Sequence, residues 1–425
     1  MNNLEIIETE VLGELFRFQW RSENGSPMPQ SLMKFDDTTS ADLAFKSASS
    51  GQSMLWVGDF QNARHLLQAM SRRFDKSRKF KSNNPRPSRN SKKNDTQAKA
   101  EAEVEVEVEV SNLNRLITHQ SNLNTEYKKF RDQQKLKAQI LGRLLIAVQT
   151  NHLIDLRRAP NVLSACSQAY GEDAAPYIVS LRELMGVISA YEWRKKGVVI
   201  DLNEHGLSPF KIFPHYGVFS PIRGEYLELI AKTHLPSALT QDSTAFDIGT
   251  GTGVLSVILA KRGVKFITAT DQNTRAIDCA LSNVDELNLK NQIAVIKANL
   301  FPPSGKAALI VCNPPWLPTQ SSTSVDTAVF DPNSQMLIGF LNGLADHLLH
   351  GGEGWLIMSN FAELLGLRAE GELLKWIDEA GLVVHDRQDV RPVHRKAMDA
   401  SDPFYKARVN ELTSLWRLKA KSSNS

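Results

Sequence analysis

From about residue 205 onward, short apolar runs alternate with helical stretches along the chain. Seven of these runs are typical of buried strands, at residues 243–249, 265–271, 292–299, 307–313, 353–360, 381–388 and 411–418. Strands that alternate with helices favour a mostly parallel sheet with helices on both faces. The sequence therefore predicts an α/β fold with a doubly wound, mostly parallel seven-stranded sheet. Because ligands of such sheets bind at the carboxyl ends of the strands, functional residues are expected there.

The first strand ends in a glycine-rich stretch, FDIGTGTG, at residues 246–253. Gly249, Gly251 and Gly253 permit a tight turn with positive φ and let a ligand approach the backbone. The helix that follows presents unpaired N–H groups. A dinucleotide fingerprint would have its third glycine where this chain has Val254. The loop is therefore typical of a nucleotide-like ligand without a pyrophosphate, and a purely structural turn is the alternative.

Polar residues also end the second and third strands. Asp271 follows the glycines by about twenty residues, where a carboxylate can accept both hydroxyls of a ribose. Asn299 ends the next apolar run, where its amide could meet an adenine or its amine. Helix capping is the commoner use of Asp and Asn. Their occurrence on successive strand ends nevertheless favours one shared site.

The fourth strand ends in VCNPPW, residues 311–316. Proline cannot continue a central strand because it lacks the N–H of the ladder. The side-chain oxygen of Asn313 and the carbonyl oxygen of Pro314 can hold the N–H groups of a planar nitrogen, so that its lone pair faces a methyl donor. Pro315 stiffens the turn, and Trp316 offers a flat face for stacking. A rigid turn with the tryptophan in the core is the alternative.

Residues 205–420 resemble the class I S-adenosylmethionine-dependent methyltransferases that carry an Asn-Pro-Pro-aromatic motif, which have a Rossmann-like fold. The resemblance implies S-adenosyl-L-methionine as the cofactor, with its methionine part at the glycine loop and its ribose at Asp271. It also implies that residues 313–316 hold the acceptor nitrogen. Asp247 resembles the acid that organises the loop and approaches the cofactor amine through water.

Several acceptors occur in this group of enzymes. GLSPFKIFPHYGVFSP (206–221) is similar to the segment that precedes the domain in rRNA guanine-N2 methyltransferases, and Asn299 also fits those enzymes. SPIRGEYLELI (220–230) is similar to the glutamine-N5 methyltransferases of release factors and ribosomal protein. The favoured acceptor is the guanine N2 amine of rRNA, and glutamine N5 is the alternative. Adenine N6 and a non-catalytic cofactor-binding homologue are further alternatives.

The composition of the chain changes before this domain. Residues 71–99 hold eleven Lys or Arg against two Asp, and residues 101–110 read EAEVEVEVEV. We expect a small segment at 1–75, a charged, low-complexity, disordered linker at 76–111 and a largely helical substrate-recognition region at 112–204. The basic run either binds RNA phosphates or keeps the linker extended.

Charge and cysteine content add little to the choice of partner. Lys and Arg number 50 against 47 Asp and Glu, a formal net charge of +3. Three cysteines are too few for a disulfide framework, and no zinc spacing occurs. No apolar stretch reaches membrane-spanning length. We expect a soluble, cytoplasmic protein without a metal, whose partner is RNA (rRNA or a ribosomal particle) or, alternatively, a translation protein.

Overall fold

A computed structural model of the chain describes residues 6–11, 14–79, 122–172, 175–320, 329–393 and 399–421. The chain forms two compact units. The first contains residues 1–163 and 171–186, and the second contains residues 164–170 and 187–425. The boundaries between them fall at or within helices α4 (Leu163–Tyr170) and α5 (Leu181–Lys196).

The first unit contains a six-stranded mixed sheet with the order β1-β2-β6-β5-β4-β3. Its strands are β1 (Ile6–Val11), β2 (Glu14–Arg21), β3 (Leu32–Phe35), β4 (Ser53–Trp56), β5 (Leu144–Val148) and β6 (Tyr177–Ser180). Helices α1 (Ala41–Ser49), α2 (Phe60–Lys79) and α3 (122–141) belong to the same unit. Phe18, Leu55, Leu145 and Ile178 form part of its apolar core.

The expectation that residues 112–204 are largely helical is wrong for β5, for β6 and for a later strand, Val198–Leu202. Leu144, Leu145 and Val148 recur at a spacing that also fits a helix, but the run is apolar throughout and almost wholly buried. β5 lies between β4 and β6. A strand covered on both faces loses the polar alternation that distinguishes a strand from a buried helix.

The predicted linker at 76–111 falls almost entirely outside the described residues. Residues 76–79 form the end of α2, and residues 80–121 are not described. Most of the basic run 71–99 and the EAEVEVEVEV stretch therefore lie outside the described chain, and their roles stay predictions.

The second unit contains the predicted seven-stranded, mostly parallel sheet, with the order β11-β10-β9-β12-β13-β15-β14. Its strands are β9 (Thr244–Ile248), β10 (Phe266–Asp271), β11 (Ile293–Lys297), β12 (Ala307–Cys312), β13 (Leu348–Ser359), β14 (Leu382–Val390) and β15 (Thr413–Ala420). β15 runs antiparallel to both of its neighbours, and all the other pairs are parallel. This sheet confirms the predicted α/β fold.

Helices cover both faces of this sheet. Val311 belongs to a cluster with Ile258 of the helix after β9, whereas Ile310 belongs to a second cluster with Phe340. Neighbouring residues of β12 thus face opposite sides, as the period of a strand requires. The helices are α6 (Glu225–Lys232), α7 (Val254–Lys261), α8 (Thr274–Glu286), α9 (Gln335–His347), α10 (Phe361–Leu364), α11 (Glu372–Glu379) and α12 (Tyr405–Val409). A separate hairpin is formed by β7 (Val198–Leu202) and β8 (Leu207–Ile212).

The register of the central strands brings their carboxyl ends to one level. Ile248 of β9 pairs with Thr270 of β10 on one side and with Cys312 of β12 on the other. The strand order reverses between β9 and β12, which is where open α/β sheets bind ligands. The residues that follow these three strands therefore meet at one edge of the sheet. Among the described residues, no helix has the length and apolar character needed to span a membrane.

Candidate active site

The glycine loop after β9 has the backbone conformation that its sequence predicts. Gly249, Gly251 and Gly253 have φ values of 70°, 56° and 82°, in the left-handed region that favours glycine. A Cβ added at Gly249 would overlap the terminal methyl group of Met336, whereas a Cβ at Gly251 would meet nothing within 4 Å. The Met336 side chain is flexible, so it is the positive φ that favours glycine at 249, and Gly251 leaves an open space beside the loop.

Asp247, at the end of β9, organises this loop. Its side chain is buried, and its Oδ2 accepts hydrogen bonds from Thr250 Oγ1 at 2.7 Å, Ser256 Oγ at 2.7 Å and Ser256 N at 3.1 Å. Burial raises the pKa of the Asp247 carboxyl. Its Oδ1 is also buried and has no hydrogen-bond partner among the described residues.

The unpartnered Oδ1 is a test of whether the site fits the expected cofactor. A buried polar atom without a partner costs about 1–3 kcal/mol, and more when it is charged. An amine, reached directly or through water, would supply the missing partner of Asp247. The open space at Gly251 lies on the same loop. The residues present therefore fit S-adenosyl-L-methionine.

Because of Asp247, the affinity for the cofactor should depend on pH. A cationic amine pairs with the ionised carboxylate, so affinity is lost when the carboxylate is protonated. Because burial raises the pKa of Asp247 above its ordinary value of 3.8, we expect the affinity for S-adenosyl-L-methionine to fall as the pH is lowered, and to begin falling at a higher pH than an ordinary aspartate would cause. Asp247→Asn should bind at least about tenfold more weakly at a pH where the carboxylate is ionised and should show a flatter profile. Titration calorimetry at several pH values measures both effects, and an unchanged affinity in Asp247→Asn would contradict this role.

Asp271 ties the glycine loop to the end of β10. Its Oδ2 accepts a hydrogen bond from Gly251 N at 3.1 Å, and its Oδ1 accepts one from Asn273 N at 2.9 Å. Burial raises the pKa of Asp271, and the backbone N–H groups oppose this rise. Each carboxylate oxygen retains a further lone pair. The two remaining lone pairs are what the two hydroxyls of a ribose require.

Asn299 lies farther along the same edge of the sheet. Lys297, the last residue of β11, pairs with Asp271, and Asn299 follows two residues later with an exposed side chain. Its contact with an adenine stays a prediction.

Asn313, the first residue of the Asn-Pro-Pro-Trp turn, directly follows Cys312. Because Cys312 pairs with Ile248, Asn313 follows β12 beside the point where Gly249 follows β9. Asn313 and Pro315 are partly buried, and Pro314 is buried. Trp316 is also partly buried, and its Nε1 donates a hydrogen bond to Asn313 Oδ1 at 3.0 Å.

Trp316 is held from two sides. Arg368 Nη2 donates to its carbonyl oxygen at 3.2 Å, and the Arg223 guanidinium lies 5.3 Å from the centre of its ring. The ring also packs against both apolar clusters of the sheet. Trp316 is therefore neither a fully buried core residue nor a freely exposed stacking surface.

A cluster of charged residues lies next to Trp316 and was not predicted from the sequence. Arg223 Nη1 lies 3.3 Å from Glu411 Oε1, and Arg223 Nε lies 3.6 Å from Glu225 Oε1. Ser359 Oγ donates to Glu411 Oε1 at 2.8 Å. Glu225 and Glu411 are both buried, and burial raises the pKa of Glu225. Two buried carboxyl groups thus pair with one guanidinium group beside Trp316.

The sheet topology explains why sequence reasoning missed Glu411. Glu411 precedes β15, and the start of a strand was not a predicted location for site residues. β15 is antiparallel to β13, so its beginning lies at the same edge as the end of β13. The available signal was the acidic residue that begins the last strand-like run, 411–418, and its location in the site depends on the direction of that strand.

A match to a known protein family covers the glycine loop, Asp271 and the Asn-Pro-Pro-Trp turn. Residues 210–366 match the family model described as the methyltransferase small domain. The chain thus contains a methyltransferase small domain. The predicted class, an S-adenosylmethionine-dependent methyltransferase, and the predicted cofactor are confirmed for this methyltransferase domain.

Three curated relatives share part of this domain. A protein N5-glutamine methyltransferase of Methanocaldococcus jannaschii is 32% identical over 127 residues, which cover 28% of this chain and 64% of the relative. A release factor glutamine methyltransferase of Rhodopirellula baltica is 33% identical over 102 residues, which cover 23% of this chain and 34% of the relative. A ribosomal protein L11 methyltransferase of Clostridium perfringens is 40% identical over 73 residues, which cover 17% of this chain and 23% of the relative. The chain spans less than two thirds of the length of each of these relatives.

The described residues also bear on metal binding. No grouping of three or more His, Cys, Asp or Glu in the described ranges could hold a metal ion.

Proposed function

We propose that this protein transfers a methyl group from S-adenosyl-L-methionine to the amide nitrogen of a glutamine in a protein of the translation machinery. The observation that carries the proposal is the register of β9 and β12, which places Asn313 beside the glycine loop. A cofactor held by Gly251 and Asp271 would then have its reactive end close to an acceptor held at Asn313. S-adenosyl-L-methionine, when bound, supplies the methyl group.

The residues of the Asn-Pro-Pro-Trp turn suit a planar nitrogen. The lone pair of an amide nitrogen is delocalised and poorly nucleophilic, so the acceptor must be oriented. Asn313 Oδ1 and the Pro314 carbonyl oxygen can each accept one N–H of the acceptor amide. Positioning of this kind can contribute roughly 7–11 kcal/mol to lowering a barrier. The turn thus acts by holding the two N–H groups while the lone pair faces the donor.

The charges around Trp316 favour a protein acceptor over RNA. The carboxyl groups of Glu225, Glu363 and Glu411 pair with the two guanidinium groups beside Trp316, those of Arg223 and Arg368, so carboxyl groups outnumber guanidinium groups there. Nucleic acids carry a phosphate on every nucleotide, and nearby carboxylates repel them. Two of the relatives described above are named glutamine methyltransferases, which supports the same acceptor.

Guanine N2 of rRNA is the second candidate. Its support is the similarity of residues 206–221 to the guanine-N2 enzymes, together with the basic run 71–99. An exocyclic guanine amine is planar and carries two N–H groups, so Asn313 and Pro314 could hold it in the same way.

One labelling experiment separates the two acceptors. The full-length protein is incubated with methyl-tritiated S-adenosyl-L-methionine and with the separated protein and RNA fractions of a strain that lacks this protein. We expect label in the protein fraction, released as N5-methylglutamine by exhaustive enzymatic digestion and as methylamine by acid hydrolysis. Label in RNA as N2-methylguanosine would favour the second candidate, and N6-methyladenosine would refute both. No label in either fraction, from a protein that binds the cofactor, would indicate a non-catalytic homologue.

A further inference from the structure

The hydrogen bond between Trp316 and Asn313 determines which way the Asn313 amide points. An indole nitrogen can only donate a hydrogen bond, whereas an asparagine amide has one accepting and one donating end. The atom of Asn313 that lies 3.0 Å from Trp316 Nε1 is therefore the oxygen, Oδ1. The orientation of this amide is thus fixed by a neighbouring side chain of the same turn.

We propose that Trp316 is a positioning residue that holds Oδ1 of Asn313 toward the acceptor nitrogen. This inference rests on the proposed function. A carbonyl oxygen has two lone pairs, so Oδ1 can accept the indole N–H with one and an N–H of the acceptor with the other. An Asn313 amide turned by 180° would present its own NH₂ group to the N–H groups of the acceptor, and the acceptor would lose one of its two hydrogen-bond acceptors.

Contacts around Trp316 also connect it to the end of strand β13. Arg223 lies over the indole ring and is paired with Glu411. Glu411 accepts a hydrogen bond from Ser359, the last residue of β13. A series of contacts thus connects the end of β13 through Glu411, Arg223 and Trp316 to Asn313. Phenylalanine in place of Trp316 would preserve the aromatic ring but could not donate to Asn313.

The contact can be tested without any acceptor by nuclear magnetic resonance. The chain contains seven tryptophans, and the indole N–H signal missing from Trp316→Phe identifies Trp316 in the ¹⁵N-labelled full-length protein. In Asn313→Ala, we expect this signal to shift and its hydrogen exchange to accelerate about tenfold, as for the loss of one hydrogen bond. Asn313→Asp retains an acceptor oxygen and should preserve the protection. An unchanged Trp316 signal in Asn313→Ala would overturn the inference.

The role in transfer is tested with the protein fraction labelled in the previous experiment. Trp316→Phe should lower kcat about tenfold with little change in KM, because the ring remains while the orientation of Asn313 is lost. Arg223→Ala should lower kcat in the same direction. Arg387→Ala is the matched control, since Arg387 also lies over a tryptophan ring, that of Trp416, at 4.4 Å, and it should leave kcat unchanged.

The outcomes separate this inference from the proposed function. A Trp316→Phe protein with equal or higher kcat would show that the indole does not position Asn313 for transfer, and would overturn the inference while the proposed function stands. A wild-type protein that labels neither protein nor RNA would refute the proposed function and with it the positioning role. In that case the resonance experiment would still decide whether the contact itself exists.

Discussion

Asn313→Ala is expected to lower methyl transfer on the order of 10²–10³-fold, the usual effect of removing one preorganised hydrogen-bonding group from a reacting centre. The affinity for S-adenosyl-L-methionine should change little. Asn313 follows β12, whereas the groups that fit the cofactor lie at the ends of β9 and β10 and in the loop after β9. Transfer rates with the labelled acceptor fraction and calorimetric titration with the cofactor provide the two measurements.

The control for this prediction is a variant that alters the neighbouring turn without touching Asn313. Gln320 is exposed and lies four residues beyond Trp316 in the sequence, and Gln320→Ala should preserve both transfer and cofactor affinity. If Asn313→Ala lost cofactor affinity and transfer to the same extent, Asn313 would have a structural role in the domain, and its assignment to the acceptor would be wrong.

Gly251→Val is expected to weaken the binding of S-adenosyl-L-methionine by roughly 10–100-fold, which corresponds to the cost of overpacking a closely fitted site. The open space beside Gly251 is the reason, because a Cβ there meets nothing within 4 Å of the protein itself. Equilibrium dialysis with radiolabelled cofactor measures the loss.

Backbone strain has to be separated from the loss of space. Gly263 also has a positive φ of 93° and an open position at Cβ, and it lies just after α7, away from the loop. Gly251→Ala and Gly263→Ala should each lower the free energy of unfolding by about 1–2 kcal/mol, measured by urea titration. Only Gly251→Ala should weaken cofactor binding. Equal affinity in the two alanine variants would contradict the assignment of Gly251.

Sequence reasoning predicts an element best where several different residues indicate the same element and the same boundary. The run before Gly249 is short and apolar, ends in glycines and precedes a helix, so strand, turn and helix are each indicated by different residues. Asp271 and Asn313 follow similar runs, and the parallel sheet brings them to the same edge as Gly249. Local sequence and topology thus define the candidate site without knowledge of any distance.

Sequence reasoning is weaker where one residue pattern fits two structures. Leu144 and Leu145 fit a helix and a buried strand equally, and their partners in β4 and β6 decide between the two. The hydrogen bond from Trp316 to Asn313 depends on a rotamer, which no periodicity encodes. Arg223 and Glu411 are 188 residues apart, so only the folded sheet brings them together beside Trp316.

The most direct measurement of the central claim is a calorimetric titration of the full-length wild-type protein with S-adenosyl-L-methionine. The account predicts saturable binding of one cofactor per chain, with an affinity that weakens as the pH falls toward the raised pKa of Asp247. Absence of binding would contradict the assignment of the glycine loop, Asp247 and Asp271 to a cofactor site, and the proposed methyl transfer would fail with it.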